Sequence, residues 1–218
     1  MAKSKIGVLG TGEVGRTLGA GFLACGHEVK IGSRDPDSYK LRAWLGKAGN
    51  GATSGTFADA AAFGEVIVLA TLWSGTKNAL DLAESKNLAG KVIVDATNPL
   101  TFVKNAPPQL AIGHTDSGGE QVQRWLPDAR VVKAFNSIGN AHMVNPSFPG
   151  GPPDMFICGN DPEAKWIVSE LCTDLGWPGA VDIGGIEGSR LLEPLCILWV
   201  TYAMHSGGWN HAFKLLRE

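Results

Sequence analysis

Apolar residues along the chain form short continuous runs. Between the runs lie segments in which apolar residues alternate with polar ones at a wider spacing. Each run holds valine, isoleucine or leucine at most positions and ends at glycine or at polar residues. Such runs are typical of strands that are buried on both faces of a parallel sheet. The predicted strands are KIGVLG (5–10), EVKIGS (28–33), VIVLAT (66–71), KVIVDATNP (91–99), RVVKAFNSI (130–138), DMFICGN (154–160) and residues 180–183.

The segments between these runs repeat apolar residues every three or four positions, which is the spacing of one helix face. The first of them places Val14, Leu18 and Phe22 on one side before Gly26 ends the helix. The proline-rich stretches 102–110 and 145–154 and the glycine-rich segment after residue 49 are predicted to be loops. The predicted helices are 13–25, 35–49 with Pro36 in the first turn, 57–63, 74–85, 117–126, 162–175 and 186–205.

Strands and helices alternate from the first run onwards. This order predicts an α/β fold of Rossmann type, with a doubly wound, mostly parallel sheet and right-handed crossovers. The last helix is apolar on most faces, which favours burial against the sheet or in a dimer interface. We therefore expect a Rossmann domain at 1–184 and a C-terminal helical extension at 185–218.

A glycine-rich turn joins the first predicted strand to the first predicted helix. Gly10, Gly12 and Gly15 form the pattern G-x-G-x-x-G. In a β-α-β unit the first glycine permits a tight turn, the second lets the backbone approach a pyrophosphate, and the third allows the helix to pack closely on the strand. The free N–H groups at the start of the helix can bind the anion. The motif in this context predicts a dinucleotide-binding site.

The end of the second predicted strand indicates which dinucleotide is bound. Enzymes that bind NAD carry an acidic residue there for the ribose 2′-hydroxyl, whereas this chain has Ser33 and Arg34. A hydroxyl donor and a guanidinium can bind a 2′-phosphate through charge-assisted hydrogen bonds. The pair therefore predicts NADP, although Asp35 beside it leaves NAD as an alternative.

Length, charge and cysteine content narrow the functional classes. A chain of 218 residues with 44% hydrophobic side chains supports one main domain. The formal charge of −2 argues against nucleic acid and anionic membranes as partners. No apolar run approaches the roughly 18 residues of a membrane helix. The cysteines, which we expect to be reduced and mostly buried in a cytoplasmic protein, are Cys25, Cys158, Cys172 and Cys196.

The chain lacks the usual proton donors of nicotinamide enzymes. The pair Tyr-x-x-x-Lys is absent, because Ala43 and Ser206 stand four residues after Tyr39 and Tyr202. The five histidines show no zinc-ligand spacing, so neither a catalytic residue nor a metal ligand is assigned. Hydride transfer to a flavin-like ring requires positioning and a dry cleft rather than a general acid. A redox coenzyme is therefore the expected acceptor.

Five stretches are spread along nearly the whole chain: GTGEVGRTLGAGFLACGHEVKIGSR, VIVLATLW, LPDARVVKAFNSIG, DMFICGNDPEAK and GSRLLEPLCILW. They resemble the NADP oxidoreductases that use the deazaflavin coenzyme. They are also similar to the cytosolic domain of the six-transmembrane metalloreductases, which share VVKAFN and pass hydride from NADPH to flavin. The resemblance implies hydride transfer between NADP(H) and a deazaflavin, or FMN or FAD.

The resemblance also implies a set of cofactor contacts. In the glycine loop these are Thr11, Gly12, Glu13 and Val14, and on the ribose phosphate they are Ser33 and Arg34. Residues expected to border the nicotinamide ribose are Thr71, Leu72, Trp73, Asn98 and Pro99. The floor on which the second ring rests is expected to be Asn136, Ser137, Ile138 and Gly139. This chain departs from the deazaflavin enzymes in having Leu72 where proline is common and Asn136 where histidine is common, and the second change is closer to the metalloreductases.

Two other functions remain open at this stage. One is direct reduction of an imine or carbonyl, as in pyrroline-carboxylate reductase, which would require a larger helical domain. The other is an NADP sensor that binds the cofactor without turnover.

The apolar stretch LLEPLCILWVTYAM (191–204) further suggests a homodimer.

Overall fold

The structure is a computed structural model, and it describes residues 3–104 and 106–218. A central sheet is flanked by helices on both faces. In chain order, strands β1 to β10 span Lys5–Leu9, Glu28–Gly32, Ala52–Gly55, Val66–Leu69, Val92–Asp95, Leu100–Thr101, Gln109–Leu110, Arg130–Lys133, Met155–Gly159 and Ala180–Asp182. Helices α1 to α8 span Glu13–Ala24, Tyr39–Ala48, Phe57–Phe63, Trp73–Ala83, Ser85–Leu88, Gly118–Trp125, Pro162–Asp174 and Ser189–Ser206.

The main sheet has the strand order β10-β9-β8-β5-β4-β1-β2-β3. The strands from β8 to β3 in this order are parallel, whereas β9 is antiparallel to β8 and β10 is parallel to β9. The strand order reverses between β1 and β4, and ligands of such sheets bind beyond the carboxyl ends of the strands at this point. The predicted doubly wound, mostly parallel Rossmann-type fold with a C-terminal helix is confirmed.

Two hydrophobic cores lie on opposite faces of the sheet, as the continuous apolar runs predict. Alternate strand residues enter different cores, because successive side chains of a strand point to opposite faces. Val68 and Val94 lie in the core with α1 and α7, whereas Ile67 and Ile93 lie in the core with α3 and α6.

Two segments predicted to be loops contain short strands. β3 lies in the glycine-rich segment after residue 49 and pairs with β2. Gln109 and Leu110, at the end of the proline-rich stretch 102–110, pair with Leu100 and Thr101 as β7 and β6. Both predictions were wrong because these residues form strands through backbone pairing with a neighbour, without an apolar run of their own.

Several predicted elements are shorter in the structure. β8 ends at Lys133 rather than at residue 138, because Phe135 adopts a left-handed conformation with φ +60°. Helix α2 begins at Tyr39 rather than near Pro36, since Ser33 and Asp35 accept backbone hydrogen bonds that hold the preceding residues in turns. The last helix begins at Ser189, after a short 3-10 turn at Ile186–Gly188.

The residues after α8 fold back along the ligand-facing edge of the sheet. The indole N–H of Trp199 donates to the carbonyl of His211 at 2.9 Å, and the Asp154 carboxylate accepts the Leu215 N–H. A Cβ at Gly139 would lie 3.0 Å from the Trp199 ring, so this glycine permits the close packing of α8. Each helix within residues 3–104 and 106–218 is too short or too polar to span a lipid bilayer.

Candidate cofactor-binding site

Two of the three loop glycines are required by contacts within the protein. Gly10 has φ +131°, and a Cβ there would lie 2.3 Å from the carbonyl oxygen of Ala70. A Cβ at Gly15 would lie 2.3 Å from the carbonyl oxygen of Gly10. Any other residue at these positions would therefore push β1, β4 and α1 apart. Their roles in the turn and in helix packing are those expected from the motif.

No contact among the described residues requires glycine at position 12. Its φ is −67°, which any residue can adopt, and a Cβ there would meet nothing within 4 Å. The residue caps α1 without a side-chain hydrogen bond, so its side chain satisfies none of the free N–H groups at the start of the helix. This arrangement fits a pyrophosphate that approaches the backbone closely, because a side chain at Gly12 would occupy its place.

The end of β2 presents Ser33 and Arg34 next to the glycine loop, where Gly10 N–H donates to Gly32 O. The Ser33 hydroxyl accepts the N–H of Asp35 at 3.0 Å, which leaves its own hydrogen free to donate. Asp35 accepts the N–H of Asp37, so its carboxylate is occupied within the turn. The Arg34 side chain is exposed, and no ion pair to it is found within the described part of the chain.

The residues after β4 lie at the same edge of the sheet. The Thr71 hydroxyl lies 2.9 Å from that of Thr76, which itself donates to the carbonyl of Leu72. The Leu72 side chain is 71% exposed. The Trp73 ring stacks on Trp125, with 5.5 Å between the ring centroids. Thr71 and Leu72 thus bond locally to Thr76 rather than to other predicted site residues.

The structure brings Trp73 and Pro99 together over the start of α6. A Cβ at Gly118 would lie 3.2 Å from the Trp73 ring and 3.3 Å from Pro99. Asn98 and Asn136 also meet. Asn98 donates to the backbone carbonyl of Asn136 at 2.8 Å, and the Asn136 amide donates to Asn98 Oδ1 at 3.0 Å and to the carbonyl of Leu192 at 2.7 Å. We call Asn98 and Asn136 the amide pair.

The amide pair leaves one buried acceptor open. Asn136 is buried, and its Oδ1 has no hydrogen-bond partner among the residues that the structure describes. An unsatisfied buried oxygen is costly, so this atom fits an N–H donor from a ligand, such as the carboxamide of nicotinamide. Thr11, Glu13, Val14 and Ile138 border this edge as exposed or half-buried residues.

Phe135 sets the direction of the chain at Asn136. Its φ of +60° is unusual for a bulky residue, and its side chain is fully buried. The Phe135 N–H faces the Met155 sulfur at 3.2 Å, and the ring packs edge-on against Trp177 at 6.4 Å. The surrounding core therefore holds a strained residue where the strand turns into the site.

A buried charge cluster below the amide pair was not predicted. Lys133 Nζ lies 2.8 Å from Asp95 and 3.0 Å from Glu193, and all three side chains are at most 1% exposed. We call these residues the ion cluster. The sequence did contain a signal, because Asp95 and Lys133 are charged residues that end two neighbouring apolar strands. Glu193 lies in an apolar helical run, where its partner could not be read from local spacing.

The ion cluster is stabilised as a charged unit. Burial alone would lower the pKa of Lys133, but attraction by Asp95 and Glu193 holds that pKa above its usual value. The Glu193 carboxylate also accepts the N–H groups of Gly118 and Gly119, each at 2.9 Å. These groups form the start of α6, so the helix dipole favours the negative charge.

The cysteines are all free thiols, and three of them are buried as expected. Burial raises the pKa of Cys158 to about 11 and that of Cys196 to about 12. Burial also raises the pKa of Cys172. Since the thiolate is the reactive form, these buried thiols are expected to be unreactive at neutral pH.

Comparisons with known proteins indicate the family of this chain. The family model described as NADP oxidoreductase, coenzyme F420-dependent, matches residues 5–99. The F420-dependent NADP reductase of Methanocaldococcus jannaschii is 31% identical over 205 residues, covering 90% of this chain and 91% of that protein. A crystal structure assigned to the F420-dependent NADP reductases, from Arthrobacter sp. FB24, has a TM-score of 0.92 at 40% identity and covers 98% of this chain and 100% of that one.

A second group of relatives is longer than this chain. The metalloreductase STEAP3 of Rattus norvegicus is 31% identical over 192 residues, which are 88% of this chain but 36% of that protein. This chain therefore spans about a third of the metalloreductase. The match to the archaeal reductase extends over nine tenths of both proteins. The chain belongs to the family of coenzyme F420-dependent NADP oxidoreductases, as the resemblance of its motifs predicted.

Proposed function

We propose that this protein transfers hydride between NADP(H) and a deazaflavin coenzyme without a dedicated general acid. The observation that carries the proposal is the chemistry at the carboxyl ends of β4, β5 and β8. Amide, hydroxyl and aromatic groups face the ligand edge there, whereas the nearby charges are locked in the ion cluster. An acceptor ring that needs only positioning suits such a site better than a carbonyl that must be protonated.

The NADP half of the proposal rests on the glycine loop and on the end of β2. The first turn of α1 would bind the pyrophosphate through its N–H groups, with Thr11, Gly12, Glu13 and Val14 against it. The free hydrogen of the Ser33 hydroxyl and the exposed Arg34 guanidinium would both donate to the ribose 2′-phosphate.

The nicotinamide half rests on the amide pair. Asn136 Oδ1 would accept an N–H of the nicotinamide carboxamide, which removes the unsatisfied acceptor. Thr71, Leu72 and Trp73 would line one side of the ring, while Asn98, Pro99 and Ile138 would line the other. When bound, NADPH would supply the hydride to the deazaflavin, whose reduction also requires one proton from water.

A flavin acceptor is the second candidate, and a particular residue favours it. Asn136 stands where deazaflavin enzymes commonly carry histidine, and the metalloreductase relative aligns over most of this chain. We therefore include FMN and FAD as alternative hydride partners.

The acceptor is tested by anaerobic oxidation of NADPH with the purified protein. Coenzyme F420, FMN, FAD and a cyclic imine are supplied in parallel at equal concentration. Turnover with F420 at a rate well above the others supports the proposal, and turnover with FMN or FAD alone would replace it with flavin reduction. Turnover with the imine alone would make the protein an imine reductase, and tight NADPH binding with no turnover would indicate a sensor.

We also propose that the protein is a homodimer formed through α8. The outer face of this helix carries a stripe of apolar side chains, in which Leu191 is 69% exposed, Leu198 is 56% exposed and Tyr202 is 55% exposed. A contiguous apolar stripe of this kind is typical of an interface. Leu198→Glu should convert a dimer into a monomer in sedimentation velocity runs, and a monomeric wild-type protein at micromolar concentration would remove the proposal.

We propose that the protein resides in the cytoplasm, a reducing compartment in which its cysteines would remain free thiols. The free cysteines include exposed Cys25, and no disulfide joins the buried three. Disulfides form and persist in oxidising compartments and are rare in the cytoplasm. Fractionation of cells with an antibody against the protein tests this assignment.

A further inference from the structure

Four elements of the fold converge on a single ammonium group. Lys133 ends β8, and Asp95 is its partner in the parallel register at the end of β5. The third member of the ion cluster, Glu193, comes from α8 and binds the first N–H groups of α6. Lys133 also donates to the backbone carbonyl of Thr97 at 2.8 Å. The position of each element therefore depends on Lys133.

Two hydrogen-bonded paths lead from the ion cluster to the amide pair. On the β5 side, Asp95 Oδ1 accepts both the N–H and the hydroxyl of Thr97, at 2.9 and 2.7 Å, and Thr97 immediately precedes Asn98. On the α8 side, Glu193 follows Leu192, whose carbonyl accepts the amide of Asn136. The ion cluster thus fixes the backbone on both sides of the amide pair.

Stability alone does not account for such a cluster. Removing three charged groups from water costs free energy that their attraction repays only with good geometry, and well-packed apolar residues often serve as well. The burial of these charges does favour a single arrangement of the groups, because a displaced charge would be left buried without a partner. An ion cluster of this kind therefore favours one fixed geometry of the elements that carry it.

We propose that Lys133 is a positioning residue for hydride transfer, which holds the amide pair, and through it the nicotinamide ring, in the reactive arrangement. Lys133 is fully buried and takes no direct part in the chemistry. The inference rests on the proposed function for its reaction, and it adds Lys133, Asp95 and Glu193 to the residues on which the rate of that reaction depends. The 2′-phosphate end of the cofactor lies on other strands, so NADPH affinity should depend little on the cluster.

The test compares Lys133→Met with a destabilised control. Leu88→Ala removes a fully buried side chain near the opposite end of β5, so it lowers stability without touching the amide pair. Single-turnover hydride transfer from NADPH to F420 is expected to fall about a hundredfold in Lys133→Met, since small misplacement of reacting groups has effects of this size. NADPH affinity should stay within about threefold, and Leu88→Ala should keep the wild-type rate. Equal rates in the two variants would overturn the inference.

A double-mutant cycle asks whether Lys133 acts through Asn136. If it does, Lys133→Met should add little to the effect of Asn136→Ala, because both changes release the same ring. Independent, additive losses would contradict the proposed path. Glu193→Gln provides the same comparison if Lys133→Met does not fold, because the side chain keeps its size but cannot accept both helix N–H groups.

A second measurement separates this inference from the proposed function. The fluorescence lifetime of bound NADPH reports how firmly the nicotinamide is held and needs no acceptor. Lys133→Met and Asn136→Ala are both expected to shorten this lifetime, whereas Leu88→Ala is not. If wild-type protein does not reduce F420, the proposed reaction fails while the lifetimes still decide the role of Lys133, and an unchanged lifetime in Lys133→Met would reject that role.

Discussion

At the scale of residues, the three glycines of the G-x-G-x-x-G motif are required for different reasons. Gly10 and Gly15 are fixed by backbone atoms that a Cβ would strike, whereas Gly12 faces open space. The sequence pattern treats all three alike, and only the surroundings separate them. Two positions therefore serve the fold, and Gly12 is left for the proposed ligand.

This difference predicts opposite effects of the same substitution. Gly12→Ala should leave the thermal midpoint of the free protein within about a degree and should lower NADPH affinity at least tenfold, because the methyl group meets only the ligand. Gly15→Ala should lower the thermal midpoint by several degrees, because the methyl group must push α1 from β1. Scanning calorimetry and NADPH titration of both variants test this pair, and a stable Gly15→Ala protein would contradict it.

Arg34 is the residue on which the proposed preference for NADP depends. Arg34→Ala should weaken NADPH binding by about 1.5 to 3 kcal/mol, as expected for a charged hydrogen bond, and should leave NADH binding unchanged. Arg124→Ala is the matched control, since it removes an exposed guanidinium from α6, which packs on β8 rather than on β2. Titration of each variant with both cofactors gives the answer. Equal loss of NADPH and NADH affinity would assign Arg34 a role outside the 2′-phosphate.

At the scale of elements, the helices with local end signals were predicted best. Helix α3 has the predicted bounds because Thr56 and Asp59 form a capping box before it and Gly64 follows it. Helix α6 differs from its prediction only by the capping residues Ser117 and Leu126. The elements that were missed depend on distant partners. β3 forms only by pairing with β2, and β8 is shortened by a turn that the surrounding core imposes on Phe135.

The cap of α3 gives a prediction about pH. Hydrogen bonds from the Thr56 hydroxyl and N–H lower the pKa of the Asp59 carboxyl. A lowered pKa stabilises the fold above the ordinary aspartate pKa of about 3.9, and the contribution is lost as the pH falls through the folded value. Thr56→Ala should therefore reduce the free energy of unfolding by about 1 kcal/mol at pH 7 and by less near pH 3. Urea unfolding at both pH values tests this, and a difference that grows on acidification would refute it.

In the candidate site, too, the features with local sequence signals were predicted and those that depend on distant partners were not. The glycine loop and Ser33-Arg34 could be predicted because they lie within one β-α-β unit. Asn98 and Asn136 were named as separate contacts only through the family resemblance, and their meeting and the ion cluster were both missed. Its members are separated by 38 and 60 residues along the chain, so no local pattern links Asp95 to Lys133 or Lys133 to Glu193.

At the scale of the whole molecule, the reversal of strand order between β1 and β4 determines where a dinucleotide can lie. The loops after β1 and β2 form one wall of the crevice, and those after β4, β5 and β8 form the other. The proposed contacts for the ribose phosphate and for the nicotinamide fall on opposite walls.

A ligand that spans both walls should stabilise the entire sheet. NADPH at a hundred times its dissociation constant should add about 2.7 kcal/mol to the free energy of unfolding. For a chain of this size that corresponds to a rise of roughly 5 to 10 °C in thermal midpoint, with one transition rather than two. Calorimetry at increasing NADPH concentration measures the shift. A ligand-induced splitting into two transitions would show that NADPH touches only one wall.

The strand reversal also separates the walls along the chain. The elements that form the first wall lie within residues 3–63, and those of the second lie within 66–218, so a single crossing of the chain connects them. A bound dinucleotide would thus act as a removable cross-link between two consecutive segments. Without the cofactor, the two segments are held together by the β1–β4 ladder and by the helices that pack across it, such as α3 on α4.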